Sequence, residues 1–204
     1  KKSNRKLNKD HLLLVDSGGQ YKWGTTDITR TISFSDPNKK ATELYTRVLK
    51  GHIAVAMSKI DKLKNGNNID KLARKSLNSV NLDYRHGTGH GVGFFMNVHE
   101  GPQSISKKNF IKLKKGMIVS NEPGIYLENK LGIRIENLVY IDGNNKNLFF
   151  KNLTFAPLEK DLINENMLTK IEKDYIFSYH LETYSKLSAY LNNKERKWLA
   201  KLIQ

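Results

Sequence analysis

The sequence predicts a mixed α+β fold, and three observations carry that reading. Residues 12–34 and 116–155 are dense in Thr, Ile, Val and Tyr and alternate in character, as strands on a pleated, half-buried surface do. Between them, apolar residues recur at helical spacing from Leu44 to Ile60, and a further helix fits Ile69 to Val80. The tail reads as two helices, near Leu168 to Leu187 and from Asn193 to the end.

The elements follow in order. Lys1 to Asp10 is basic and Asn-bearing, like a surface insertion or a processed end, so residues 1–10 are set apart from a domain over 11–204. Leu12 to Val15 reads as a buried strand ending at Asp16, with Ser17-Gly18-Gly19-Gln20 as a turn. Tyr21 to Phe34 is its partner strand and contains Asp27; the hairpin can bring Asp16 and Asp27 together. Ser35-Asp36-Pro37 marks a helix start, with a capping side chain and proline in the first turn. Leu44, Tyr45, Val48, Leu49, Val55, Ala56 and Ile60 form that helix's apolar face. Residues 65–68 break the chain before the second helix. Gly116 to Asn121 is a strand running into Glu122, which Pro123-Gly124 bends. Leu131 to Ile141 alternates as one strand, and Asp142-Gly143 turns it into Asn147 to Phe155.

Composition excludes several classes. With 204 residues the chain can bury a core in one domain, at most two. There is no cysteine, so a metal must be held by oxygen and imidazole. No apolar run reaches the roughly 18 residues of a membrane span, and Lys1 to Lys9 is polar, unlike a secretory signal. The net charge of +15 invites a nucleic-acid reading. The lysines, however, are scattered beside asparagines and gather on no helical face, so neither nucleic acid nor membrane is expected as a partner.

The chemistry centres on His86 to Gln103, HGTGHGVGFFMNVHEGPQ, which holds three of the six histidines. Glycines 87, 89, 91 and 93 are expected to allow positive φ and leave room beside each histidine. Taken alone, His86, His90 and His99 look like a zinc-type site. Four carboxylates change that: Asp16, Asp27, Glu122 and Glu136 all sit at or within strands next to turns. Each has an ordinary reading as turn former or surface group, though Glu136 lies among Ile133, Ile135, Leu138 and Val139 with Arg134 nearby. Together with one histidine they make a set of Asp, Asp, His, Glu, Glu. That set suits two divalent cations with bridging carboxylates, and its oxygen-rich character favours Mn²⁺-like ions. Spacing alone leaves coincidence open.

The segments DSGGQYKWGTTDITRT, HGTGHGVGFFMNVHEGP, SNEPGIY and GIRIENL, in this order, resemble the pita-bread metallopeptidases, most of all the Xaa-Pro aminopeptidases (aminopeptidase P) in their eukaryotic cytosolic form. The resemblance extends from Leu12 into the tail (LTFAPLEKDLI, YHLETYSKL), and the Lys/Asn-rich dress is similar to that of malaria-parasite proteins. It implies a pita-bread fold, of which this chain is the carboxy-terminal part of the catalytic domain. It implies a cytoplasmic, homodimeric enzyme that cleaves Xaa-|-Pro-peptides through a metal-bridging hydroxide. Asp16 would bind one metal, Asp27 and Glu136 would bridge, and His90 and Glu122 would bind on the side of the other. Glu122 would also take the proton from the nucleophile. His99 would contact the scissile carbonyl, His86 would shape the site around the substrate proline, and Arg134 with Tyr126 would support the carboxylates. His11, His52 and His180 read as surface or packing residues.

One departure stands out. The opening strands and helices of that fold, an upstream histidine and the amino-terminal domains precede the first motif in the family. An upstream part of the same protein is therefore an expected partner. A prolidase acting on Xaa-Pro dipeptides is the nearest alternative, and a non-catalytic pita-bread binding protein, which would usually lack some ligands, is a more distant one.

Overall fold

The alternating runs at the start pair as expected but extend further. In the computed structural model, which describes residues 6–63, 65–95, 97–144 and 146–203, β1 (Leu12–Tyr21) and β2 (Gly24–Ser33) form an antiparallel hairpin. Residues 1–5 of the expected basic segment lie outside the described residues, as do Lys64, Met96, Asn145 and Gln204. Ser17 to Gln20 is not a turn: Gly18 pairs with Asp27 and Gly19 with Thr26 inside the ladder. The turn falls at Lys22 and Trp23, because Tyr21 still pairs with Gly24. The added length places Asp16 opposite Thr29.

The helical stretch becomes α1 (Lys39–Ala56), the short α2 (Ile60–Leu63) and α3 (Gly66–Asn78). The cap of α1 is Asn38, whose side chain accepts the Ala41 amide at 2.9 Å; Ser35-Asp36-Pro37 precedes it. Asn65 caps α3 in the same way, so that helix starts inside the expected break. Leu44, Tyr45, Val48, Leu49, Val55 and Ile60 are buried, whereas Ala56 is only partly covered. Each such side chain contributes about 1.5–3 kcal/mol relative to exposure.

A five-stranded antiparallel sheet of order β4-β3-β5-β8-β9 follows, built from β3 (Gly89–Val92), β4 (His99–Ile105), β5 (Ile118–Asn121), β8 (Asn137–Asn144) and β9 (Asn147–Asn152). β6 (Gly124–Leu127) and β7 (Leu131–Arg134) form a separate hairpin. The expected single strand over 131–141 is broken at Ile135-Glu136, where the chain changes partner from β6 to β5. Glu136 instead bridges to Thr29 of β2. Asp142-Gly143 does not turn the chain either; the ladder runs on to Asn144 opposite Asn147.

Two cores hold these layers. One joins α1 to β6, β7 and the tail through Leu44, Tyr45, Val48, Ile125, Ile133, Ile135 and Tyr179. The other joins the end of α1 and α3 to the large sheet through Val55, Ile69, Val119, Val139 and Ile141. In the tail, α4 (Lys170–Leu187) opens with a capping box of Thr169 and Glu172, and α5 (Asn193–Ile203) ends the described chain. His52 and His180 are buried. No helix among the described residues is long and apolar enough to cross a membrane.

Candidate metal centre

Five of the singled-out side chains reach one open cavity of about 390 Å³: Asp16 and Asp27 from the hairpin, His90 from β3, Glu122 just past β5, and Glu136 at the corner between β7 and β8. His99, the first residue of β4, lines it too. The glycine–histidine stretch is therefore partly strand, and none of glycines 87, 89, 91 and 93 has positive φ. They serve close approach instead. A Cβ on Gly89 would lie 1.9 Å from the Ser120 carbonyl oxygen, and one on Gly91 equally close to that of Glu100. A register irregularity between His90 and Val92 accompanies this crowding.

Asp27, His90 and Glu136 each offer a ligand atom within 4.8 Å of the others. His90 Nδ1 lies 2.9 Å from the Gly91 carbonyl oxygen; a proton there leaves Nε2 as a free lone pair. Nε2 stands 3.4 Å from an Asp27 oxygen and 3.6 Å from a Glu122 oxygen. Donor atoms that share one cation at ~2.1 Å stand about 3.0–3.5 Å apart, so these separations fit a shared ion. His99 packs beside His90, the two rings tilted by 51° with centroids 3.9 Å apart.

The electrostatics point the same way. Glu136 is 2% exposed. Burial, then the charge of Glu122, push its carboxyl up to about 7, against a hydrogen bond from the Thr29 hydroxyl. Burial likewise raises Glu122, which the Ser120 hydroxyl partly offsets. Burial pulls the His90 imidazole down, but Asp27, the Gly91 carbonyl and Glu122 outweigh it and hold its pKa above the ordinary value. Four carboxylates crowd one cavity, and among the described residues the guanidinium that pairs with them is that of Arg134. Divalent cations relieve that repulsion, and oxygen donors with one imidazole are the set such ions take. The residues present fit the metals the sequence implied.

Arg134 ties the rim together. It pairs with Asp16, donates to the Thr29 hydroxyl at 3.1 Å and to the Tyr126 hydroxyl at 2.8 Å, and stands 4.0 Å from Glu122. His86 is not on the cavity wall with the ligands; its Nε2 meets the Tyr126 hydroxyl at 2.9 Å. Burial holds its imidazole below the ordinary pKa.

Three supporting residues were not singled out from sequence. The Thr29 hydroxyl donates to Glu136 at 2.7 Å. Ser120 accepts the His90 amide at 2.8 Å and donates to Glu122 at 2.9 Å, linking two ligand positions. Arg30 donates to the Glu136 carbonyl at 2.7 Å. Thr29 and Ser120 each lie two residues from a ligand, on the same strand face for Thr29, and that spacing was the available signal.

Comparison with known proteins gives the chain a family. Metallopeptidase family M24 matches residues 1–143, and the C-terminal region of peptidase M24 matches 146–204. Aminopeptidase P2 of Arabidopsis thaliana is 46% identical over 95% of this chain and 29% of its own length. Xaa-Pro aminopeptidase 1 of Dictyostelium discoideum is 45% identical over 95% of this chain and 33% of its own. Among solved structures, the X-prolyl aminopeptidase of Caenorhabditis elegans, a cytosolic enzyme with a di-nuclear active site, matches with a TM-score of 0.93 and 36% identity, covering 98% of this chain and 34% of that one. The prolidase of Pyrococcus furiosus matches with a TM-score of 0.68 and 32% identity, over 76% of this chain and 44% of that one. The chain thus spans about a third of the length of the curated relatives it matches. Its α+β arrangement is that of the pita-bread fold, in the carboxy-terminal part of the catalytic domain. The chain belongs to metallopeptidase family M24.

Proposed function

We propose that the protein carrying this chain is a dinuclear metallo-aminopeptidase that hydrolyses the bond between an amino-terminal residue and a following proline. The observation that carries this reading is the convergence of Asp16, Asp27, His90, Glu122 and Glu136 on one cavity beside His99. Two divalent cations, Mn²⁺ in this reading, would be held by those five side chains and supply Lewis acidity and a nucleophile at neutral pH.

The chain's own residues then divide the work. Glu122, already high in pKa through burial, accepts the proton of the attacking water. His99 donates a hydrogen bond where charge develops on the scissile carbonyl. His86 and Tyr126, joined at 2.9 Å, wall the place of the substrate proline. Arg134 fixes Asp16 and Tyr126, keeping the ligand carboxylates in position before substrate arrives.

An aminopeptidase is favoured over a prolidase because the A. thaliana and D. discoideum aminopeptidases are 46% and 45% identical over 95% of this chain, whereas the P. furiosus prolidase is 32% identical over 76%. The reading includes an upstream segment of the same protein packed on this one. Val15, Tyr21 and Trp23 of the first hairpin are exposed, with Trp23 at 80%, and apolar surface of this kind calls for cover. A cytoplasmic location is supported by the cytosolic C. elegans relative; a homodimer rests on the family resemblance alone. The test is hydrolysis of Xaa-Pro-Yaa peptides and Xaa-Pro dipeptides by the native-length protein, with and without Mn²⁺. Mn²⁺-dependent cleavage of the longer peptides is expected. Cleavage of dipeptides alone makes the protein a prolidase, and cleavage of neither overturns the proposal.

A further inference from the structure

Outside the metal cavity, the described residues include a buried ion pair of Asp70 and Arg74 on α3, 0% and 3% exposed. The pair is bidentate, with Arg74 Nε donating to Asp70 Oδ2 at 2.7 Å and Nη2 to Oδ1 at 3.0 Å. Arg74 then reaches beyond its helix. Nη1 donates to the Asp83 carboxylate at 2.6 Å and to the Tyr84 carbonyl at 2.7 Å, and Nη2 donates to the His86 carbonyl at 2.7 Å. Its guanidinium also lies 3.9 Å over the Tyr84 ring. Asp70 accepts the Thr88 hydroxyl at 2.7 Å, and the Thr88 carbonyl accepts the backbone amide of Glu122 at 2.7 Å.

A buried ion pair is a weak device for stability, since a packed apolar pair serves as well or better. What no apolar side chain offers is five donors in a fixed fork. Here two of those donors end on carbonyls of the segment that carries His86, while Asp70 grips the same segment at Thr88. We propose that the Asp70–Arg74 pair is a positioning device for the metal-and-substrate site: it locks the 84–88 segment where the Thr88 carbonyl anchors Glu122 and where His86 meets Tyr126. α3 itself contributes no side chain to the cavity, so the pair acts through the backbone it holds.

The inference rests on the metal reading of the site, and its test separates the two. The native-length protein is stripped with chelator and titrated calorimetrically with Mn²⁺, alongside Arg74→Lys, Thr88→Val and a control, Leu77→Ala. Arg74→Lys keeps the charge beside Asp70 and loses the fork; Thr88→Val removes the hydroxyl link and keeps the shape. Leu77, also buried on α3, tests whether loosening the helix is sufficient. Each of the two former variants is expected to weaken Mn²⁺ binding about tenfold, the scale of an outer partner of a metal ligand. Leu77→Ala is expected to lower Tm and leave the affinity unchanged. Wild-type affinity in folded Arg74→Lys or Thr88→Val, or an equal loss in Leu77→Ala, overturns the proposal; should Arg74→Lys not fold, Thr88→Val decides. If the native protein binds no Mn²⁺, the metal reading falls and takes the inference with it.

Discussion

Glu136→Gln separates what the fold needs from what the metals need. In the metal-free protein the Glu136 carboxyl rises from its usual 4.5 to about 7, through burial and the neighbouring charges of Glu122, Asp27 and Asp16. A difference of that size corresponds to about 3 kcal/mol. The folded value lies above the unfolded one, so this group's stabilising contribution is complete below about pH 4.5 and is lost as pH rises to about 7. Glutamine has the same shape and no charge, and its carbonyl can still accept the Thr29 hydroxyl that now lies 2.7 Å from Glu136. Urea unfolding of chelator-treated native-length protein should therefore find Glu136→Gln more stable than wild type by up to about 3 kcal/mol near pH 8. The two should converge below about pH 4.5. Mn²⁺ at a thousand times its Kd should reverse the order, since it adds about 4.1 kcal/mol to a protein that binds it. A variant less stable than metal-free wild type near pH 8, or a gap that ignores pH, refutes the electrostatic account of the site.

Other outcomes follow from the same geometry. His99→Ala should lower kcat for Xaa-Pro-Yaa peptides by about 10²–10³-fold while Mn²⁺ affinity stays within a few-fold, because His99 lines the cavity as a donor and is not assigned as a ligand. Apparent Mn²⁺ affinity should rise as pH increases from about 6 to 8: Asp27 and Glu122 hold the His90 proton above the ordinary pKa, and that proton must leave before Nε2 can bind; a flat profile in calorimetric titrations argues against His90 as a ligand. Expressed alone, the 204-residue chain should show no peptidase activity if the proposed upstream partner is required, and a folded, fully active monomer of this length refutes that part of the proposal.

Much of the fold was legible where local chemistry decides it. The Thr- and Ile-rich runs around Asp16 and Asp27 carry the strand period, and the face of Leu44, Tyr45, Val48 and Leu49 carries the helix period. The misreadings arose where a distant partner overrides a local signal. Ser17 to Gln20 has a turn's composition, yet close pairing with Thr25 to Ile28 draws it into the ladder. The alternation of residues 131–141 suggested one strand, and only the partner change at Ile135-Glu136 breaks it. That break sends Glu136 toward Thr29 and into the site. The candidate ligands stood out because four carboxylates at or within the strand-like runs accompany one glycine–histidine stretch. The Asp70–Arg74 pair did not: four residues apart on a helix, it has the spacing of an ordinary surface pair, and only the packing of α3 against 84–88 shows it buried.

The most direct measurement is Mn²⁺ stoichiometry taken together with turnover of an Xaa-Pro-Yaa peptide, for native-length wild type and Glu136→Ala. Two ions per chain, with Mn²⁺-dependent turnover that disappears in Glu136→Ala along with at least one ion, is the predicted result. Full activity in Glu136→Ala, or a wild type that binds no divalent cation, contradicts the central claim that these five side chains form a dinuclear peptidase centre.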